Sequence, residues 1–251
     1  MPENSPPAAD SPPAADRGPL TGRCILVAGA TGGLGSRLSQ RLADAGAALT
    51  LTARSSRRLT ALGLDAELVE ADLRTSEGAG RAVQAAVSAH DGLDGIVFAA
   101  GVVAFGPAGQ LNDDALGELF DVTVFAPIRL LRAALPALTR SASAHRSPFV
   151  ANLSAVTAEA PTSGMAAYSA AKAALTAFDN AVSRELRGAG IRVLDVRPPH
   201  TETGLASRPI TGSAPKLPAG HNPDAVAERI VNAIVNGERD LPASGFGPAP
   251  R

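Results

Sequence analysis

The stretch of sequence that determines the fold is Cys24-Ile25-Leu26-Val27-Ala28-Gly29-Ala30-Thr31-Gly32-Gly33-Leu34-Gly35. Its first five residues are apolar and predict a strand buried on both faces, and apolar residues at helical spacing begin at Leu34. Glycines between a strand and a helix allow the backbone to approach a pyrophosphate closely, while the helix N-terminus supplies free N–H groups. The stretch therefore predicts a dinucleotide-binding turn.

Short apolar runs alternate with longer amphipathic stretches along the rest of the chain. Further strands are predicted at 48–52, 67–70, 95–99, 149–153 and 191–196, and helices at 57–62, 76–89, 113–120, 126–142, 166–186 and 224–236. This alternation indicates crossover units in a parallel sheet, and continuous apolar strands indicate helices on both faces. We predict a single α/β domain, a Rossmann-type doubly wound parallel sheet of about seven strands that binds ligands at the carboxyl ends of its strands.

The composition excludes several other classes of protein. The chain has 251 residues and is 45% hydrophobic, which is enough apolar surface for a packed core. Its formal net charge is -1, and no basic stretch is interleaved with aromatic residues, so we expect no nucleic-acid partner. The one cysteine, Cys24, excludes a disulfide framework, and the histidines lack ligand spacing, so we expect no metal.

The two ends of the chain differ in composition from its centre. Residues 1–19 repeat a unit rich in proline and alanine, and residues 244–251 look similarly loose. We predict a disordered tail over 1–19, the Rossmann domain over 20–243 and a flexible tail over 244–251. No signal peptide is apparent, and the longest uncharged stretch, 95–112, is interrupted by glycines and a proline. We therefore expect a soluble cytoplasmic protein with no membrane contact.

The end of the second predicted strand distinguishes between the two nicotinamide cofactors. A cofactor without a 2′-phosphate is usually held there by an acidic side chain on its ribose hydroxyls. In this chain no acid occurs between Asp44 and Asp65, and Arg54 directly follows the strand. Because a guanidinium can pair its planar fork with a phosphate, the sequence predicts NADP(H), with Arg54 as a contact.

The chain has one tyrosine, Tyr168, and Lys172 follows it four positions later on a predicted helix. Residues at this spacing share one face of a helix. A phenol has a pKa of about 10 and is a poor acid or base at neutral pH. A nearby ammonium together with a cationic nicotinamide would lower that pKa, so the pair predicts acid–base chemistry.

The spacing of Gly29, Gly33 and Gly35, the triplet Asn152-Leu153-Ser154 and the pair Tyr168 and Lys172 resemble the short-chain dehydrogenase/reductase family, over residues from about 20 to 250. The resemblance implies that Tyr168 exchanges a proton with a carbonyl oxygen as hydride is transferred, and that Lys172 holds the nicotinamide ribose. It also implies an adenine contact for Asp72 and a nicotinamide contact for Thr203. The predicted cofactor-binding residues are Gly29, Thr31, Gly32, Gly33, Leu34, Gly35, Arg54, Asp72, Leu73, Ala99, Gly101, Tyr168, Lys172 and Thr203.

The chain departs from the family's pattern at its polar positions. Ala155 stands where the catalytic serine is expected, so Ser154, Thr157 and Ser163 are the candidates to hold the substrate oxygen. Ser154 can do so only if the strand end bends, because neighbours on a strand face opposite ways. His200 is a further hypothetical replacement.

Two other polar positions of the family are altered as well. Thr123 occupies the position of a helix asparagine that anchors a relay water in the family, and a threonine hydroxyl can also bind water. Phe98 and Ala99 replace both asparagines of the family's Asn-Asn-Ala-Gly, which keeps Gly101. The catalytic set that we predict is Tyr168, Lys172, Ser154 and Thr123.

These residues predict an NADP(H)-dependent oxidoreductase that reduces a carbonyl or oxidises the matching alcohol. The expected pocket walls, 101–109, 154–165 and a lid at 200–219, suggest a small and mainly apolar substrate. Two alternatives stay open: a cofactor-binding sensor or scaffold without redox turnover, and an isomerase or cyclase that uses Tyr168. The resemblance implies a homodimer or homotetramer formed through helices 126–142 and 166–186.

Overall fold

The computed structural model describes residues 18–248. Within that range seven strands form one parallel sheet in the order β3-β2-β1-β4-β5-β6-β7. The strands are β1 (Cys24–Ala28), β2 (Ala48–Ala53), β3 (Glu67–Glu70), β4 (Gly95–Phe98), β5 (Phe149–Leu153), β6 (Arg192–Val196) and β7 (Asp240–Leu241). The predicted fold class, a single doubly wound α/β domain, is confirmed.

Helices cover both faces of the sheet, as the apolar strands predicted. In the described part of the chain these are α1 (Gly33–Asp44), α2 (Ser56–Thr60), α3 (Ser76–His90), α4 (Asp113–Phe120), α5 (Ala126–Ser143), α6 (Ala166–Glu185) and α7 (Pro223–Val235). Alternate residues of β1 separate the two layers: Ile25 and Val27 belong to the core formed with α1 and α7, whereas Leu26 and Ala28 belong to the core formed with α3 and α5. Strand β1 is therefore buried on both sides.

The two helices predicted at 113–120 and 126–142 are continuous in the structure. A π-helical turn, Asp121–Phe125, joins α4 to α5, and such turns are frequent at functional sites. By length and composition alone the stretch Asp113–Ser143 could cross a membrane, but half of its most apolar window is buried inside the fold, as is usual for a core helix. The polar position Thr123 lies within the π turn.

The predicted domain ends need one correction. The N-terminal tail lies outside the described residues up to position 17, and so do residues 249–251. The loose C-terminal tail was predicted to begin at 244, but Ala243–Phe246 form a 3₁₀ turn. Phe246 packs against the core, and the Gly245 carbonyl accepts a hydrogen bond from Arg229 Nε at 3.0 Å. The ordered domain thus extends to Phe246, because the aromatic side chain of that residue packs against the core.

The order of the strands determines where a ligand can bind. From β1 the chain continues to β2 and β3 on one side of that strand, and it then crosses to β4 on the other side. A crevice opens at such a switch point, outside the carboxyl ends of the strands. The glycine turn that follows β1 lies at this crevice.

Candidate active site

A cavity of about 990 Å³ lies at the carboxyl ends of the strands. Residues at or just after the ends of β1 to β6 line it, including Gly29, Ala53, Asp72, Ala99 and Ser154. Of the predicted cofactor-binding residues, all except Gly35 lie in its wall: Gly29, Thr31, Gly32, Gly33, Leu34, Arg54, Asp72, Leu73, Ala99, Gly101, Tyr168, Lys172 and Thr203. The topology has thus brought together residues from six separate parts of the chain.

The glycine turn leaves an open cradle at the N-terminus of α1. Gly29 has φ +77°, and a Cβ there would lie 2.5 Å from the backbone nitrogen of Ala100. A Cβ on Gly35 would collide with the carbonyl oxygen of Gly29, which explains why Gly35 is needed although it does not line the cavity. The helix has no side-chain N-cap and no acid in its first turn, so its N–H groups are available to an anion. These residues fit the pyrophosphate of a dinucleotide.

The end of β2 brings basic side chains to the cavity. Arg54, Ser55 and Arg58 line the wall there, and Arg54 is exposed. Arg58, on the short helix α2, donates from Nη2 to the Thr31 carbonyl at 2.8 Å, which links α2 to the glycine turn. None of the residues 52–58 in the wall is acidic, so this part of the cavity suits an additional phosphate.

Asp72, the predicted adenine contact, is engaged by a neighbour. Arg74 donates from Nε to Oδ1 at 3.0 Å and from Nη2 to Oδ2 at 2.7 Å. These bonds lower the pKa of Asp72, so its carboxylate stays ionised. An adenine contact would have to share that carboxylate with Arg74, which also lies in the cavity wall.

Tyr168 and Lys172 lie on the first two turns of α6, and both are buried, 8% and 5% exposed. Lys172 Nζ donates to the Leu153 carbonyl at 2.8 Å and lies 5.8 Å from the centroid of the Tyr168 ring. Both residues reach the cavity wall. The helical spacing has therefore placed the phenol and the ammonium together, as predicted.

Burial sets the protonation of this pair in the protein alone. It raises the pKa of Tyr168 to about 12 and lowers the pKa of Lys172 to about 8, and nearby Asp195 and Asp179 oppose the second shift. Burial is the cause of the shift in the Tyr168 pKa, and the lowering expected from Lys172 together with a cationic nicotinamide concerns the protein with cofactor bound. At neutral pH the phenol carries its proton and the lysine is mostly charged.

Ser154 lines the cavity, but its hydroxyl is hydrogen-bonded within the protein. Its hydroxyl donates to the Lys172 carbonyl at 2.9 Å and lies 3.0 Å from Thr176 Oγ1, which donates to it. Its one proton is therefore used inside the protein. Ala155 follows in extended conformation, with φ −166° and ψ 162°, and lines the cavity without a polar group.

The other candidate hydroxyls are placed very differently. Thr123 is 1% exposed and its hydroxyl has no hydrogen-bond partner among the described residues, but it is not in the cavity wall, unlike Val122. Ser163 is also absent from the described residues that line the wall. Thr157 does line the cavity; it is 7% exposed, and its hydroxyl also lacks a partner within residues 18–248.

The predicted lid, residues 200–219, is hydrogen-bonded to residues outside it in this structure. His221 N donates to the His200 carbonyl at 2.7 Å, and Ile210 N donates to the Val103 carbonyl at 2.9 Å. Leu205 and Ile210 belong to the apolar cluster that contains Tyr168, so the wall beside the phenol is apolar. The His200 ring lies in the wall with Nε2 3.5 Å from Glu202 Oε1.

A buried polar cluster beneath α6 was not anticipated from the sequence. Asn152 Nδ2 donates to Asp179 Oδ1 at 2.6 Å, while Asp195 pairs with Arg197 and lies 3.3 Å from Thr176 Oγ1. Burial raises the pKa of both Asp179 and Asp195. A signal was present, since an aspartate between Leu194 and Val196 in an apolar strand requires a buried partner.

Comparison with known proteins identifies the family. A family model described as short chain dehydrogenase matches residues 23–211. This chain therefore belongs to the short-chain dehydrogenase/reductase family, which is a family of oxidoreductases.

Individual relatives agree with this assignment. The ketoacyl reductase HetN of a Nostoc species is 28% identical over 225 residues, which cover 86% of this chain and 77% of that protein. A short-chain dehydrogenase from Sphingobium yanoikuyae, solved in complex with NADPH, is 25% identical with a TM-score of 0.78, covering 88% of each chain. A 3-ketoacyl-(acyl-carrier-protein) reductase from Brucella melitensis, complexed with NADH, has a TM-score of 0.79 at 23% identity, covering 90% of this chain and 99% of that chain. The last likeness shows the fold alone.

Proposed function

We propose that this protein is an NADP(H)-dependent oxidoreductase that reduces a carbonyl group, or oxidises the matching alcohol, of a small and mainly apolar substrate. The observation that carries the proposal is that Tyr168 and Lys172 lie buried in the wall of the cavity into which the glycine turn opens. A buried acid–base pair beside a dinucleotide cradle suits hydride transfer to a carbonyl, because the oxygen must gain a proton as the carbon gains hydride.

The cradle and the basic loop after β2 would hold the cofactor. The glycine turn and the free N–H groups of α1 would receive the pyrophosphate, and Arg54 would face the 2′-phosphate. When bound, NADP(H) supplies or accepts the hydride. The complex of the Sphingobium yanoikuyae relative with NADPH supports this choice, and so does the absence of an acid from wall residues 52–58.

Tyr168 would supply the proton in the reductive direction. Because burial raises its pKa to about 12, the phenol is protonated at neutral pH and can donate to the carbonyl oxygen as that oxygen gains charge. Lys172 has an ammonium within reach of the same region, and its three N–H groups can hold ribose hydroxyls in addition to the Leu153 carbonyl. Alcohol oxidation would need the phenolate and is favoured as the pH rises.

The wall beside Tyr168 suits an apolar substrate. Leu205, Ile210, Val103 and Met165 form or flank this wall, so a chain or ring of carbon atoms would be desolvated there. The likeness to a ketoacyl reductase supports a ketone as the reacting group.

The assembly and location that we propose follow the family expectation, a homodimer or homotetramer in the cytoplasm. Phe125, 46% exposed, and Leu116, 39% exposed, lie on the helical stretch that continues into the predicted contact helix α5, which supports self-association. Light scattering of the purified protein tests it, and a monomer at micromolar concentration would refute it.

The direct test of the proposed function is consumption of NADPH with a panel of ketones and the reverse reaction with the matching alcohols. We expect turnover with apolar ketones, and tighter binding of NADPH than of NADH in a fluorescence titration. NADPH binding without consumption on any substrate would favour a cofactor sensor, the alternative that Ala155 and the engaged Ser154 support. Product formed without cofactor consumption would instead indicate an isomerase or cyclase.

A further inference from the structure

The lid brings one charged side chain to the substrate end of the cavity. Arg208 lines the cavity and lies in sequence between Leu205 and Ile210, which belong to the apolar cluster that contains Tyr168. A purely apolar ligand gains nothing from a guanidinium in this wall and gives it no partner. The charge therefore indicates a ligand that carries an anionic group.

A compact turn of the lid positions Arg208. Its backbone nitrogen donates to the Leu205 carbonyl at 3.1 Å, and its Nε donates to the Gly204 carbonyl at 3.0 Å. Ser207 Oγ donates to the same Gly204 carbonyl at 2.9 Å. The two Nη atoms of Arg208 form no hydrogen bond with residues 18–248, so their N–H groups are available to a ligand.

The other arginines of the cavity wall that the structure describes lie away from the lid. Arg54 and Arg58 follow β2, and Arg74 follows β3. Arg58 is hydrogen-bonded to the glycine turn, and Arg74 is held by a neighbouring carboxylate. These three lie where the 2′-phosphate and the adenine of the cofactor are proposed to bind. Arg208 lies instead beside the apolar wall where the substrate is proposed to bind.

No acid balances Arg208 at the cavity within the described part of the chain. The acids in the wall are Asp72 and Glu118, and both act on Arg74: the pKa of that guanidinium is raised by its hydrogen bonds to Asp72 and further by the charge of Glu118. Glu202, the acid of the lid, is outside the wall and accepts a hydrogen bond from a backbone nitrogen at 2.7 Å. Arg208 itself forms no ion pair with any residue from 18 to 248.

We propose that Arg208 binds an anionic group, a carboxylate or a phosphate, at the end of the substrate whose carbonyl is reduced beside Tyr168. This inference rests on the proposed carbonyl reduction and narrows its substrate class to an apolar chain that ends in an anion. The chain would lie against Leu205 and Ile210, and the planar fork of the guanidinium would bind two oxygens of the anion.

The anionic group takes no part in the chemical step. The carbonyl carbon gains hydride as NADPH is oxidised to NADP⁺, the C=O π bond breaks, and the oxygen takes the proton of Tyr168. Arg208 therefore contributes to binding and orientation of the substrate, and its loss should raise KM more than it lowers kcat.

The test compares linear oxo acids of increasing chain length with their methyl esters and with the phosphate esters of the matching oxo alcohols. At the best chain length, the wild-type protein should reduce one of the anions with a kcat/KM about tenfold above that of the neutral ester, the usual value of a hydrogen bond between charged groups. The anion with the higher kcat/KM distinguishes a carboxylate from a phosphate. Arg208→Gln should remove the preference through a higher KM for the anion, with kcat/KM for the ester and the Kd for NADPH unchanged. Arg208→Lys should keep part of it, because the charge remains and the fork is lost.

Controls separate a local contact from the general charge of the lid. Lys216→Gln removes a positive charge from the same lid at an exposed position outside the cavity wall, and it should leave the preference at the wild-type value. Added salt should raise the wild-type KM for the anion and not for the ester, because ions screen the charge pair.

Three results would overturn the inference while the proposed function stands. The first is equal kcat/KM for anions and esters at every chain length in the wild-type protein, and the second is an unchanged preference in Arg208→Gln. The third is an equal loss for anions and esters in Arg208→Gln, or weaker NADPH binding, since Arg208 would then act on the lid or on the cofactor. A wild-type protein that reduces none of these ketones would refute both.

Discussion

The glycine turn after β1 and the corner formed by Ser154 to Thr157 line the same cavity, yet they are built differently. At the turn, backbone N–H groups and missing Cβ atoms form the site, and a Cβ on Gly29 or Gly35 would collide with other backbone. At the corner, side-chain hydroxyls would have to hold a substrate oxygen. Ala155 has none, the Ser154 hydroxyl donates to the Lys172 carbonyl, and the Thr157 hydroxyl has no partner among residues 18–248. A site made of backbone tolerates few substitutions, whereas a hydrogen-bond donor can be supplied from a neighbouring position.

The largest effect should come from removing Tyr168, the proposed acid beside this corner. Tyr168→Phe deletes the phenol hydroxyl and keeps the ring in its apolar cluster, so we expect kcat for ketone reduction to fall about 10²–10⁴-fold with little change in the Kd for NADPH. Stopped-flow or steady-state kinetics measure the first value and a fluorescence titration the second. Near wild-type turnover in this variant would show that another group transfers the proton. The acid of the reaction would then lie outside the region around Tyr168.

The next effect concerns the cofactor region. Arg54→Ala should weaken NADPH binding about tenfold to a hundredfold, the usual value of a hydrogen bond between charged groups, and should leave NADH binding almost unchanged. Arg57→Ala is the matched control, because Arg57 lies three residues further on in α2, is exposed and does not line the cavity. Equal weakening for NADH and NADPH would mean that Arg54 does not read the 2′-phosphate.

The parts of the protein that could be predicted from its sequence are those that local patterns determine. The sheet, the helices and the glycine turn follow from apolar periodicity and from glycines at fixed spacing, and these patterns are local. The pair Tyr168 and Lys172 was also predictable, since four residues on a helix fix the shared face. Their protonation was not, because it depends on burial and on Asp179 and Asp195, which come from elsewhere in the chain.

The direction of the Ser154 hydroxyl was equally beyond the sequence. Alternation along a strand left open whether its end bends towards the cavity, and the outcome depends on Thr176 and on the Lys172 carbonyl, about twenty residues away. The same holds for the engagement of Asp72 by Arg74 and for the Thr157 hydroxyl, which has no partner in the described part of the chain. Each depends on which partner a side chain has, or on its having none within the described residues, and sequence patterns do not determine this.

A smaller effect is expected from pH, acting through Lys172. Burial lowers the pKa of Lys172 to about 8, so its ammonium and full set of donors are present below that pH and are lost above it. We expect kcat/KM for NADPH to be level below pH 8 and to fall about tenfold per pH unit above it, as for a single required proton. Asp195→Asn removes the carboxylate whose charge raises the lysine pKa most, so the fall should begin at lower pH. An unchanged profile in Asp195→Asn would mean that the ammonium does not control binding.

The smallest effect is one of stability, and it concerns the buried polar cluster rather than either region. Burial, with help from the charge of Asp195, raises the pKa of Asp179 well above its usual value, so the folded state keeps a proton that the unfolded chain releases. Stability therefore falls as the pH rises from the ordinary aspartate pKa towards the raised one, by about 1.4 kcal/mol per pH unit. Asp179→Asn removes this dependence and keeps an oxygen acceptor for Asn152, so its advantage over the wild-type protein should grow with pH across that window.

Thermal or urea unfolding at several pH values measures this difference. Asp65→Asn, at an exposed position, is the control and should run parallel to the wild-type curve. A constant gap between Asp179→Asn and the wild-type protein at every pH would show that Asp179 is ionised in the fold and that its charge is compensated by Lys172 or Asn152. In that case the cluster would hold the lysine ammonium by direct charge pairing, and Asp179→Asn would also shift the pH at which NADPH binding declines.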